Sequence, residues 1–216
     1  MISQTYTLTQ PELLRFEDLT GKPCLGLDQE WFRDAWQRRA GCGPTTAATL
    51  MTYLARTKPS LSSLAPEVPR TASDILPYME AVWQDVTPTP MGVNTLALFT
   101  DGSRTYGARQ GISLACRSLS IPGLNQNKRP TLEHCISFIR EALEADCPVA
   151  FLNYSNGALT NLDSWHWVPL IALTLGDPDS CHCTILDAGR KHVIDFALWH
   201  RTSRLGGGFV SLHPEA

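Results

Sequence analysis

Four apolar runs in the second half of the chain place the strongest constraint on its fold. The runs lie within "CPVAFLNYS", "HWVPLIALTLG", "CHCTILDAG" and "GGGFVSLHP", and turn residues separate them. Each run has the length of a β-strand and is bounded by Gly, Asn, Asp, Ser or Pro, which is typical of strands joined by turns. The chain must therefore bury a β-sheet built largely from its C-terminal half.

Helical patterns precede these runs. Segments 43–57 and 131–146 carry apolar residues at helical spacing, and Lys58-Pro59 ends the first of them. Helices followed by a mainly antiparallel sheet predict an α+β fold. We expect a single domain over residues 1–216, with an irregular lead-in up to about residue 40. A loop-rich insertion at about 87–130 holds a short helix and a strand.

Charge and hydropathy argue against some classes of binding partner. The chain has 18 Lys+Arg against 21 Asp+Glu, a formal net charge of −3. This balance offers no electrostatic basis for binding nucleic acid or an anionic membrane, and no apolar run approaches the roughly 20 residues of a membrane helix. The N-terminal segment lacks a basic start followed by an apolar core, so we predict a cytoplasmic protein. A mature or trimmed secreted chain is the alternative, and the oligomeric state stays open.

The seven cysteines predict free thiols rather than a disulfide framework. Their odd number and irregular spacing are typical of a reducing compartment, where most cysteines are small buried hydrophobes. Cys181 and Cys183 flank His182, but adjacent residues alternate across a strand and no second Cys/His pair has zinc-site spacing. We therefore predict neither a metal site nor a cofactor.

Cys42 differs from the other cysteines because it stands between Gly41 and Gly43 at the start of a helix, in "AGCGPTTAATLMTYL". The N–H groups and the dipole of a helix N-terminus favour a thiolate, which is the nucleophilic form of cysteine. Flanking glycines let a substrate approach the backbone closely. Two interpretations remain from this segment alone: a nucleophile, or a small residue that caps a buried helix.

His166 and Asp187 can supply what a nucleophilic thiol needs. His166 begins one predicted strand and Asp187 ends the next. If these strands pair as a hairpin, the two residues meet at one edge of the sheet. A base oriented by a carboxylate is the arrangement that activates a nucleophile. The alternatives are a histidine packed against its tryptophan neighbours and an ordinary turn aspartate.

Acyl chemistry also needs donors for the oxyanion. The backbone N–H of Cys42 is one candidate, and a glutamine upstream is the second. Gln37 and Gln29 both precede Cys42. We predict Gln37, because a short loop would hold it close to the thiol.

Taken in order, "AGCGPTTAATLMTYL", "SWHWVPLIAL" and "TILDAG" resemble the papain-like cysteine peptidases, most closely the bacterial C39-like branch. The resemblance runs from Gln37 to about Leu212 and implies a papain-like fold. It implies a thiol peptidase or amide hydrolase with Cys42, His166 and Asp187 as its triad. A peptide or an amide-containing small molecule would be the substrate.

The sequence departs from this pattern at the oxyanion glutamine, whose expected position holds Trp36, with Gln37 next to it. Two alternative functions remain on the same fold. One is a catalytically silent binding module, and the other is a thiol acyltransferase.

Overall fold

The computed structural model of the chain describes residues 4–67, 71–176 and 180–215. Helices lie mainly in the first two thirds and long strands mainly in the last third, in agreement with the predicted α+β class. The helices are α1 (Ala35–Ala40), α2 (Cys42–Thr57), α3 (Ala72–Asp85), α4 (Leu96–Arg109), α5 (Leu132–Glu144) and α6 (Phe196–Thr202). The strands are β1 (Gln4–Thr7), β2 (Arg15–Glu17), β3 (Pro23–Leu25), β4 (Leu114–Ile121), β5 (Val149–Asn153), β6 (His166–Leu175), β7 (Cys181–Asp187), β8 (Arg190–Asp195) and β9 (Gly207–Pro214).

Seven of these strands form one sheet in the order β4-β9-β5-β6-β7-β8, with β1 beside the far end of β6. Every pairing within it is antiparallel. The first 40 residues are therefore less irregular than expected, because β1 joins this sheet and β2 and β3 form a separate small hairpin. This part of the chain also contains a short 3₁₀ turn at Gln29–Trp31, which is followed by α1.

Both faces of the sheet are covered by helices. On β5, Ala150 and Leu152 belong to a core shared with α2, α3 and α4, whereas Val149 and Phe151 belong to a core shared with α5 and α6. Successive side chains on a strand point to opposite faces. The continuous apolar character of "VAFLN" follows from this burial on both faces, which removes the polar alternation of a half-exposed strand.

Helix α2 runs through the interior rather than over the surface. Every residue from Gly43 to Leu54 is buried, and the helix packs against β6, α3 and α4. It ends as predicted, because Lys58 is extended and Pro59 follows it. A helix buried all round holds its first residue, Cys42, in a fixed place.

Pro169 separates the start of β6 from the end of β7. Pairing between these strands begins at Leu170 and Ile185, beside a β-bulge, whereas residues 166–169 pair only with β5. Proline has no N–H to donate to a ladder. Because the two strands part here, an opening forms between the first residue of β6 and the last residue of β7.

A tight turn follows β7. Ala188 and Gly189 both have positive φ, 47° and 70°, as a two-residue type I′ hairpin turn requires. Asp187 therefore pairs with Arg190 across the turn and stands at the very end of its strand.

The segment predicted as an insertion, about 87–130, contains α4 and the sheet-edge strand β4. Its first part packs on the start of α2: a Cβ on Gly43 would lie 2.7 Å from the Val93 side chain. Val93 is held in turn by the Trp167 indole, which donates a hydrogen bond of 2.6 Å to its carbonyl. Among the helices of the described ranges, none is long and apolar enough to cross a membrane.

Candidate active site

Cys42 is the first residue of α2 and is partly exposed. Its neighbours are glycines for steric reasons. A Cβ on Gly41 would lie 2.4 Å from the Gln37 carbonyl oxygen, and one on Gly43 would meet Val93. The "GCG" motif is therefore needed for packing on both sides of the thiol, and Cys42 itself faces the opening between β6 and β7.

The His166 imidazole and the Asp187 carboxylate form a close pair. His166 Nε2 donates a hydrogen bond of 2.9 Å to Asp187 Oδ1, and the side chains are 15% and 30% exposed. The Cys42 thiol lies in the same cleft, close enough to the His166 ring to contribute to the raised pKa of this histidine. Since Nε2 is engaged with Asp187, Nδ1 is the ring nitrogen that remains for the sulfur. The structure thus brings together Cys42, His166 and Asp187.

The surroundings of His166 favour its charged form. Burial alone would lower the pKa of His166, but hydrogen bonds and Coulombic attraction from Asp187 and Cys42 outweigh it and raise the pKa to about 10. Burial would likewise raise the pKa of Asp187, but the hydrogen bond and the charge of His166 lower it. An imidazolium held between a carboxylate and a sulfur is the arrangement that stabilises a thiolate.

Three other cysteines lie in surroundings that disfavour the thiolate. Burial raises the pKa of Cys24 to about 11, that of Cys135 to about 12 and that of Cys147 to about 11. These thiols stay protonated near neutral pH and are poor nucleophiles. Cys42 is thus distinguished from these three by its contact with a histidine.

The three residues line a small cleft of about 180 Å³. Its size is below the range of about 300–1,000 Å³ typical of pockets that enclose a whole ligand, so it would hold one residue-sized group of a larger substrate. A larger concavity, about 1,080 Å³, lies elsewhere beside Tyr78 and Tyr106. The described residues that line it include no cysteine or histidine, so we place the chemistry in the smaller cleft.

Gln29 lines the cleft, whereas Gln37 is not one of the described residues that do so. The physical reason is that Gln37 lies on α1, which is separated from α2 by Gly41 alone. A helix leading directly into Cys42 cannot fold a side chain back over the thiol as a loop would, and side chains five positions apart are not neighbours on a helix. Of the two glutamines considered from the sequence, Gln29 is thus the one that lies at the cleft, whereas the prediction chose Gln37.

Two contacts fix Gln29. Asp28 caps its 3₁₀ turn by accepting a hydrogen bond of 2.9 Å from the Glu30 N–H. The Gln29 side-chain amide donates a hydrogen bond of 2.8 Å to the Arg38 carbonyl at the end of α1. One N–H of this amide is used in that bond, and the second, which has no partner among the residues that the structure describes, would be available to a ligand in the cleft.

Asn153 supports the loop that leads into His166. It is fully buried at the end of β5, directly opposite His166 in the sheet. Its side chain donates a hydrogen bond of 2.6 Å to the Asp163 carbonyl and accepts one of 2.7 Å from the Trp199 indole. A polar residue that closes an apolar strand was the available signal for this role, and the sequence-based prediction did not use it.

The described residues contain no group of three or more His, Cys, Asp or Glu side chains arranged to hold a metal ion. Comparison with protein-family models found no match for this chain, and neither did comparison with curated proteins.

Proposed function

We propose that the protein is a papain-like thiol hydrolase that cleaves a peptide or amide bond. One observation carries the proposal: a cysteine at a helix N-terminus shares a cleft with a histidine, and this histidine donates a hydrogen bond of 2.9 Å to a carboxylate. Nucleophile, base and orienting group in this geometry define a catalytic triad whatever their order in the chain. The order here, Cys42, His166, Asp187, is also the order that the family resemblance implies.

The first half of the reaction would acylate the thiol. The Cys42 sulfur attacks the carbonyl carbon of the substrate, and the carbonyl oxygen becomes an oxyanion. The free amide N–H of Gln29 and the backbone N–H of Cys42 would donate to that oxygen. The His166 imidazolium then gives its proton to the departing amine, and a thioester on Cys42 remains.

The second half would hydrolyse this thioester. His166, now neutral, takes a proton from a water molecule, and the resulting hydroxide attacks the thioester carbonyl. The acid product leaves, the sulfur departs as thiolate, and His166 is again protonated. Asp187 holds the ring in orientation throughout and stabilises its positive charge.

An acylating active-site probe tests this proposal. We expect it to label wild-type protein at Cys42 and to leave Cys42→Ala unlabelled, because Cys42 is the cysteine that lines the cleft together with His166. Cys24→Ala is the matched control, since Cys24 is also partly exposed, and it should label as wild type does. Equal labelling of Cys42→Ala and wild type, or no labelling of wild type by probes of varied acyl groups, would contradict the proposal.

A further inference from the structure

Carboxylates dominate the rim of the Cys42 cleft. Asp28, Glu30 and Asp163 line it, and none of the described residues that do so is a lysine or an arginine. The salt bridges of the described chain do not include these three carboxylates. His166 and Asp187 add no positive charge overall, because the carboxylate of Asp187 offsets the charge of the imidazolium. The cleft is therefore a negatively charged concavity, which attracts cations more strongly than a flat surface of equal charge.

The carboxylates come from the two segments that carry the reacting groups. Asp28 and Glu30 flank Gln29 on its 3₁₀ turn. Asp163 belongs to the loop before His166, where Asn153 holds its backbone. A charged group bound by these residues would lie next to the bond that Cys42 attacks.

A second feature of the cleft points to a ligand independently. Thr45 also lines it, one helical turn after Cys42, and is only 7% exposed. Its hydroxyl has no hydrogen-bond partner within the described part of the chain. Buried hydroxyls are nearly always paired, so an unpaired one in a cleft calls for a partner from outside the protein. A hydroxyl can serve either an N–H or a carbonyl of a bound substrate.

We propose that the cleft selects substrates that carry a positive charge in the acyl part, beside the bond attacked. Glu30 and Asp163 would face that charge, and the Thr45 hydroxyl would form a hydrogen bond with the substrate. The inference rests on the proposed hydrolase function, for which it names the substrate class: amides of cationic acyl groups such as those with an amine or guanidinium side chain. Asp28 adds to the negative charge of the cleft, but its carboxylate is mainly engaged in capping the 3₁₀ turn that positions Gln29.

The test uses two peptidyl fluoromethyl ketones that differ only in having arginine or citrulline beside the ketone. The Cys42 thiolate attacks the methylene carbon, a C–S bond forms and fluoride leaves. We expect wild type to be inactivated about tenfold faster by the arginine compound, a preference of the size expected from partly exposed charges. Because salt screens such charges, the preference should shrink at about 0.5 M salt.

Variants that neutralise the rim carboxylates test whether these residues cause the preference for the arginine compound. Glu30→Gln/Asp163→Asn should bring the two inactivation rates to within about twofold of each other. Glu144→Gln, an exposed carboxylate away from the cleft, should retain the wild-type ratio. An unchanged arginine preference in the double variant, or no preference in wild type, would overturn the inference.

The Thr45 contact is tested on the same compounds. Thr45→Val removes the hydroxyl at nearly constant shape and should slow inactivation by both ketones about tenfold, whereas Thr45→Ser should retain the wild-type rate. Urea unfolding separates binding from folding: Thr45→Val should be no less stable than wild type, because no hydrogen bond is lost. Wild-type inactivation rates in Thr45→Val would contradict this contact.

Failure of the inference can be told from failure of the proposed function by alkylating Cys42 with iodoacetamide. If both ketones react equally and alkylation still depends on His166, the hydrolase stands and the charge selectivity is wrong. If alkylation of Cys42 does not depend on His166, the hydrolase itself is wrong.

Discussion

His166 lies between two groups that both stabilise its proton. Asp187 accepts a hydrogen bond from Nε2, and Cys42 is the second group that raises the pKa of the ring. Burial of the ring works against the charge, and the net result is a pKa of about 10. In the proposed reaction the histidine would therefore start as the proton donor, and it could act as a base only after it has given this proton to the departing amine.

The contribution of Asp187 to this pKa can be measured. In Asp187→Asn the negative charge is lost, so the imidazolium is less stable and we expect the His166 pKa to fall from about 10. Titration of the imidazole protons by NMR measures the change. His200 is an internal control in the same spectra, because burial lowers its pKa and Asp187 is not among the causes. A His166 pKa that is the same in both proteins would contradict the role of Asp187.

At the residue scale, order and spacing were enough to predict Cys42, His166 and Asp187 as a group. Gln29 was not chosen over Gln37, because the choice depends on whether a loop or a helix leads into Cys42. That local structure is short: α1 has six residues. Its start is set by Asp34, whose carboxylate accepts from the Trp36 N–H at 2.8 Å. Thr45 and the carboxylates at the rim of the cleft could be identified only from the structure, because nothing in the sequence indicates which side chains line the same cleft.

At the scale of elements, the site depends on how β5 supports the start of β6. In the protein interior, the Asn153 side chain donates a hydrogen bond to the Asp163 carbonyl and accepts one from the Trp199 indole. Loss of this side chain would remove a partner from both groups, although the Trp199 indole N–H also donates a hydrogen bond of 3.0 Å to the Ser155 carbonyl. Asn153 thus ties the end of the loop from β5 to β6 to the protein interior, next to His166.

We therefore expect Asn153→Ala to lower the free energy of unfolding by about 2–3 kcal/mol. It should also slow probe labelling of Cys42, because the loop before His166 loses its anchor. Asn161→Ala is the matched control: its side chain makes one exposed hydrogen bond of 2.8 Å, to the Val193 carbonyl. Its loss should cost about 0.5 kcal/mol. Urea unfolding measures both, and equal costs would contradict the anchoring role.

Long elements were predictable and short ones were not. The apolar patterns of α2, α5 and the C-terminal strands continue over enough residues to identify them. β1 has four residues that are largely exposed, and it becomes a strand because β6 offers a free edge beyond the end of β5. Such tertiary pairing leaves no local signal.

At the scale of the whole molecule, Asp146 joins three distant parts of the chain. It lies between α5 and β5, and it accepts hydrogen bonds from the Tyr53 hydroxyl of α2 at 2.6 Å and from the Thr9 backbone N–H at 2.8 Å. Burial would raise the pKa of Asp146, but these bonds and that of the Thr9 hydroxyl lower it. The residues after β1 are thus tied to the central helix on the side of the sheet away from α3 and α4.

This tie predicts a dependence of stability on pH. Because the folded-state pKa of Asp146 is lowered, its stabilising effect is present above the ordinary value of 3.8 and is lost as pH falls through the lowered value. Asp146→Asn should reduce the free energy of unfolding by about 1–2 kcal/mol at pH 7, and the two proteins should become more alike in acid. Asp101→Asn, which breaks an exposed pair with Arg104, should cost no more than about 0.5 kcal/mol. A constant difference between Asp146→Asn and wild type from pH 7 to pH 3 would contradict this account.

The arrangement of helices on both faces of one sheet could not be predicted beyond its α+β class. Sheet order brings β9, the last strand, between β4 and β5, a pairing between segments far apart in the chain. What the sequence did indicate was that His166 and Asp187 would meet, because β6 and β7 are consecutive and antiparallel.

The central claim is that His166 activates Cys42, and the rate of Cys42 alkylation by iodoacetamide against pH tests it most directly. Wild type should retain most of its rate between pH 8 and pH 6, because the raised pKa of His166 keeps the imidazole charged over this interval and a charged imidazole would stabilise a thiolate beside it. In His166→Ala the rate should fall about a hundredfold over the same interval, as for an ordinary free thiol. If wild type and His166→Ala show the same pH profile at Cys42, the thiol is not activated and the proposed function is wrong.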